Sequence, residues 1–136
     1  MPPPDPRPAA AAWLTRADRD LQAARTLLRG EPPLPELAVY HAQQAAEKAL
    51  KGFLVWHSRP FAKVHDLAPL VLECSAVDAD FDQFALTAAT LTPYAVQFRY
   101  PDEGGPLAPV ISEVEEAAGH LMTPYQDAQV RCLSPD

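Results

Sequence analysis

The sequence predicts an all-α protein, an up-and-down bundle of four long helices plus a short fifth, and three observations lead there. Alanine and leucine dominate and β-branched residues are few, which favours helix over sheet. Apolar residues recur at spacings of three and four over long stretches, the helical period. Most connectors are short, so neighbouring helices are expected to return antiparallel. A chain of 136 residues suits one domain, long enough to bury a core without disulfide or metal staples.

Residues 1–8 hold five prolines and read as a disordered or extended lead-in, because proline lacks an N–H donor and biases its neighbour away from helix. The single domain is expected over 9–133. From Ala9 to Arg29, Trp13, Ala17, Leu21, Ala24 and Leu28 form an apolar stripe with arginines between them. Gly30 and the proline-rich run to Pro35 stop that helix. The strongest helical segment runs from Glu36 to about Trp56, with Val39, Ala42, Ala46, Ala49, Leu50 and Phe53 on its core side.

A short helix follows, capped by Asp66 and carrying Leu67, Leu70 and Val71, with Pro69 tolerated in its first turn. From about Asp78 to Phe98 the chain again reads as helix, with Phe81, Phe84, Leu91 and Phe98 as core candidates and Pro93 as a place for a kink. A loop over Glu103 to Pro109 leads to a last helix from about Ala108 to Arg131, which Pro124 bends or ends early.

Composition also narrows function. Cys74 and Cys132 are far apart and show no metal-ligand spacing, so neither a disulfide framework nor a zinc site is implied. No apolar run approaches the roughly 20 residues of a membrane span, and the amino terminus lacks a signal-peptide layout; a cytoplasmic protein is the expectation. The net charge is -7, but nine of the eleven Lys and Arg lie in residues 1–63 against six acids, while the remainder has two bases and twelve acids. An acidic chain argues against broad nucleic-acid binding and leaves room for a small basic pocket.

Two places hold candidate chemistry. On the second helix, His41, Gln44, Lys48 and Lys51 follow at spacings of three, four and three and so share a face. That face reads either as a solvated surface carrying a Glu47–Lys51 pair or as a cationic binding stripe. The second place is Arg99, the one Lys or Arg between Lys63 and Arg131. Beside Tyr100 and before Pro101, it suits a helix end, bridging to Asp102 or Glu103. It equally suits a nucleotide, with the guanidinium on phosphate and the ring on a base. His65-Asp66 reads more simply as a helix start than as a base with its carboxylate, His57 and His65 form no metal pair, and His120 reads as a core histidine. There is no glycine-rich phosphate loop, no Gly-x-Ser-x-Gly elbow and no His-Glu-x-x-His.

The ordered set "WLTRADRDLQAA", "YHAQQAAEKALKGFLVW", "VHDLAPL" and "FRYPD" resembles the HEPN domain family over roughly Trp13 to Leu121. The resemblance implies the same helical bundle, commonly as a homodimer, and a prokaryotic two-gene module of toxin-antitoxin type with a minimal nucleotidyltransferase as partner. It also implies one of two functions. In some members a cleft is proposed to bind nucleotide or phosphate; here that site would be framed by His41, Gln44, Lys48, Lys51, His65, Arg99 and Tyr100, with no metal and no cofactor. Other members are metal-independent ribonucleases with an Arg, four to six residues and then a His. In this chain no histidine follows Arg99 until His120, so no catalytic residue is assigned. The alternative is a divergent ribonuclease using His65 or His41.

Overall fold

The computed structural model describes residues 2–61, 63 and 66–91, and all its regular elements there are helical: α1 (Arg7–Arg29), α2 (Pro35–Trp56), α3 (Leu67–Val77), a 3-10 helix (Ala79–Phe84) and α4 (Ala85–Leu91). No strand occurs among the described residues. The all-α expectation holds. The anticipated last helix, Pro93, Phe98, His120, Pro124 and Cys132 lie outside the described residues.

Helix α1 begins at Arg7, two residues before the expected Ala9. Pro8 lies in the first turn, where its missing N–H costs nothing, and the Asp5 carboxylate accepts from the Arg7 N–H at 3.0 Å. An exposed Asp5–Arg7 pair lies alongside. Ala10, Leu14, Ala17, Leu21 and Ala24 form the buried stripe, while Trp13 and Leu28 are half-buried at its margin. The predicted stripe shares Ala17, Leu21 and Ala24 with the buried one, which continues through Ala10 and Leu14 in place of Trp13 and Leu28.

The chain turns back through a short connector in which the Leu34 N–H donates to the Leu27 carbonyl at 2.9 Å. Helix α2 starts at Pro35, again with proline in the first turn. It packs antiparallel to α1: Gly52, late in α2, faces Trp13 and Leu14, early in α1. A Cβ at Gly52 would lie 3.1 Å from the Trp13 Cβ and 3.2 Å from a Leu14 methyl. Only glycine leaves this crossing unstrained. Ala38, Ala42, Ala45, Ala46 and Ala49 are buried as well, and their small side chains let neighbouring elements approach α2 closely.

Helix α3 lies against α2, and the 3-10 helix lies against α3. Asp66 caps α3 as expected, accepting from the Ala68 N–H at 3.1 Å, and Leu67, Leu70 and Val71 are buried. Cys74 is buried beside them, its thiol donating to the Leu50 carbonyl at 3.6 Å. Burial, with a lesser contribution from the Glu73 charge, pushes that thiol up to about 12. It is a packing group rather than a nucleophile.

The segment expected to be helical from Asp78 enters through the 3-10 helix instead. Asp78 accepts from the Asp80 N–H at 3.0 Å, and the tighter winding places Phe81 and Phe84 in the core. Phe81 stacks on Phe53 with 4.6 Å between ring centroids. Phe53, like Tyr40 and Trp56, is half-buried rather than fully enclosed.

Helix α2 ends with Ser58 at φ 55°. The Ser58 N–H donates to Val55 and the Arg59 N–H to Leu54, at 2.9 and 2.8 Å, the two bonds of a Schellman ending. A Cβ in the left-handed region is strained, so Ser58→Gly is expected to raise stability by about 0.5–1 kcal/mol in urea unfolding. Unchanged or lowered stability would show that the serine side chain compensates.

Candidate functional site

On α1, Asp20 stands three residues after Ala17 and four before Ala24, both buried, so helical geometry puts it beside the core stripe, facing α2. Its side chain is 14% exposed. One carboxylate oxygen lies 2.9 Å from His41 Nδ1, and the other accepts from Lys48 Nζ. His41 and Lys48 are two turns apart on α2 and converge on one acid of α1. Their side chains keep 32% and 25% of their surface.

A half-buried carboxylate between two cation-capable groups costs less to desolvate than one with a single partner, and each charge-assisted bond contributes about 1.5–3 kcal/mol. The Tyr40 ring meets the imidazole edge-on, at 5.3 Å between centroids and 76° between planes. Gln44 lies between His41 and Lys48 along the helix and donates from Nε2 to Gln43 Oε1 at 2.7 Å.

Lys51 departs from the solvated-face reading. It is buried, and its ammonium lies 3.4 Å from Glu47 Oε2 with side-chain exposures of only 9% and 5%. The expected (i, i+4) pair is present, but inside the protein. The ammonium also stands over Trp13 at 5.7 Å and Phe61 at 5.6 Å from the ring centroids, and those two rings meet edge-to-face at 6.1 Å. A cation in such a corner recovers part of its lost hydration from the ring faces. Lys51 thereby ties the start of α1 and the α2–α3 connector to α2.

Of the residues singled out in the sequence, His41 and Lys48 are thus joined through Asp20, Gln44 shares their side of α2, and Lys51 turns toward the aromatic corner. His65, Arg99 and Tyr100 lie outside the described residues. His57 is exposed and packs on Phe53 at 4.4 Å. Among the described residues, no group of three or more His, Cys, Asp or Glu is placed to hold a metal, and no helix is long and apolar enough to cross a membrane.

Asp20 is the residue that sequence reasoning passed over. Its signal was present, since an acid spaced three and four from two core alanines cannot face wholly outward. Gln43, fully buried, was missed, and Glu47, almost fully buried, was expected on a solvated surface, for the related reason that α2 is enclosed on more than one side.

The family model of the HEPN domain matches residues 10–122, a span that contains all but the first three residues of α1, the whole of α2 and Arg99. The chain belongs to the HEPN family. Searches of curated proteins and of solved structures return no match. As a HEPN chain it is a helical module of nucleotide-related or ribonuclease-like type, and the Asp20–His41–Lys48 cluster lies within its matched region.

The aromatic corner yields a stability test. Lys51→Ala removes the stem packing and the cation facing buried Glu47, and is expected to cost about 2–4 kcal/mol in urea unfolding. Lys51→Met keeps the stem and should cost clearly less. Equal losses for the two variants, or none, would contradict the corner's role.

Proposed function

We propose that this HEPN protein is a non-catalytic binding and dimerisation module that holds a nucleotide or phosphate and partners a minimal nucleotidyltransferase in a toxin-antitoxin-like pair. The observation that carries the binding reading is the convergence of His41 and Lys48 on Asp20, at a position where both remain partly open to solvent. An arriving phosphate shares the Lys48 ammonium with Asp20, so the acid holds the cation in place without enclosing it. Gln44 supplies a neutral amide on the same side of α2, whereas Lys51, buried against Glu47, Trp13 and Phe61, supports the helix and leaves the expected set. His65, Arg99 and Tyr100 complete the proposed set, the guanidinium suiting a second phosphate oxygen and the phenol ring a base.

The absence of RNA cleavage in this reading rests on the sequence after Arg99. Tyr100-Pro101-Asp102-Glu103-Gly104-Gly105-Pro106 offers no imidazole to take the proton of a 2′-hydroxyl or return one to the leaving oxygen. Half-buried Tyr40 and Trp56 leave aromatic surface on α2 that suits a second copy of the chain.

Isothermal titration with ATP and GTP tests the reading. The native protein is expected to bind at least one of them, and Lys48→Ala and Arg99→Ala each to weaken that binding about tenfold or more, the equivalent of one charge-assisted hydrogen bond. Light scattering on the same sample reads the dimer. No heat with either nucleotide, or undiminished affinity in both variants, overturns the proposal.

A further inference from the structure

The tautomer of His41 is set by its neighbour. A carboxylate oxygen only accepts hydrogen bonds, so the Nδ1 that faces Asp20 at 2.9 Å carries the proton. A neutral ring protonated at Nδ1 has its lone pair on Nε2. That nitrogen has no hydrogen-bond partner among the described residues, and the side chain is about one-third exposed. The edge-on Tyr40 ring limits rotation of the imidazole plane.

Asp20 meets His41 through one oxygen and accepts from Lys48 through the other. The seam between α1 and α2 presents a ligand with two different groups anchored on one carboxylate, an ammonium that donates and, across the imidazole ring from Asp20, an Nε2 that accepts. Because both side chains meet at one carboxylate, what they bind belongs to one small unit. A phosphate satisfies the ammonium. An acceptor nitrogen held on the same carboxylate calls for a hydroxyl donor, and a sugar phosphate carries both.

We propose that Asp20 is a positioning residue that presents His41 Nε2 as the acceptor for a ribose hydroxyl, so that the site takes ribonucleotides in preference to their deoxy counterparts. This rests on the phosphate-binding reading above and adds to it the sugar and the residues that recognise it. Removing the hydroxyl leaves Nε2 facing the ligand unpaired, and the loss exceeds what the bond alone contributed. Lys48 keeps its phosphate in either case.

Titration of ATP against 2′-deoxy-ATP and 3′-deoxy-ATP, on the native protein and on His41→Phe, Asp20→Asn and Asp20→Glu, tests this, with circular dichroism confirming that each variant is folded. The native protein is expected to prefer ATP over at least one deoxy analogue by about tenfold. His41→Phe should bind ATP and that analogue alike while still binding both. Asp20→Asn should narrow the preference and Asp20→Glu restore most of it, and a nitrogen-detected histidine spectrum should show the Nδ1-protonated form only where an acid is present at residue 20. If ATP binds but the native protein makes no distinction, or His41→Phe keeps the full preference, the ribose assignment falls and the phosphate site stands. If neither ATP nor GTP binds, both fall; if GTP alone binds, the same comparison is made with 2′-deoxy-GTP and 3′-deoxy-GTP.

Discussion

Gly52 offers only a hydrogen where a Cβ would sit 3.1 Å from the Trp13 Cβ, and the backbones of α1 and α2 close on one another at that point. From this approach the polar arrangement along the hairpin follows. With the helices that near, a side chain as short as aspartate reaches across from α1 to two residues of α2, and a lysine one place before the glycine has its ammonium carried over the Trp13 ring. A side chain at Gly52 would press on Trp13 and Leu14, which would have to give by a few tenths of an ångström.

The enclosure of α2 then decides the chemistry of its polar residues. Buried charge is tolerated only with partners, and α2 meets that demand in two ways. Lys51 is paired with Glu47 and roofed by Trp13 and Phe61, which commits it to holding the fold. Lys48 and His41 are paired with Asp20 but left partly open, which fits them for a ligand. Two lysines three residues apart on one helix thus take different work from their surroundings.

Much of this was legible in the sequence. The helical period gave α1 and α2, the proline-rich connector gave their antiparallel return, and Asp66 gave the cap of α3. The site was only half legible. His41, Gln44 and Lys48 stood out because they are polar at helical spacing, whereas Asp20 was hidden among the charged residues of α1, its spacing of three and four from Ala17 and Ala24 being the local sign that it faces inward. Lys51 looked like its neighbours because the pairing with Glu47 reads the same on a surface as in a core; only the positions of Trp13 and Phe61, 38 and 10 residues away in sequence, distinguish the two. The 3-10 entry at Ala79 also escaped, since alternating aspartates and aromatics over six residues fit either winding.

The site depends most on Asp20 acting across the hairpin, and a double-mutant cycle between Asp20→Asn and Lys48→Met measures that directly. Unfolding free energies of the native protein, the two single variants and the double variant should give a coupling of about 1 kcal/mol or more, as for groups in direct contact. A coupling indistinguishable from zero would mean that the carboxylate and the ammonium do not act on one another in solution, and the site built on them would have no basis.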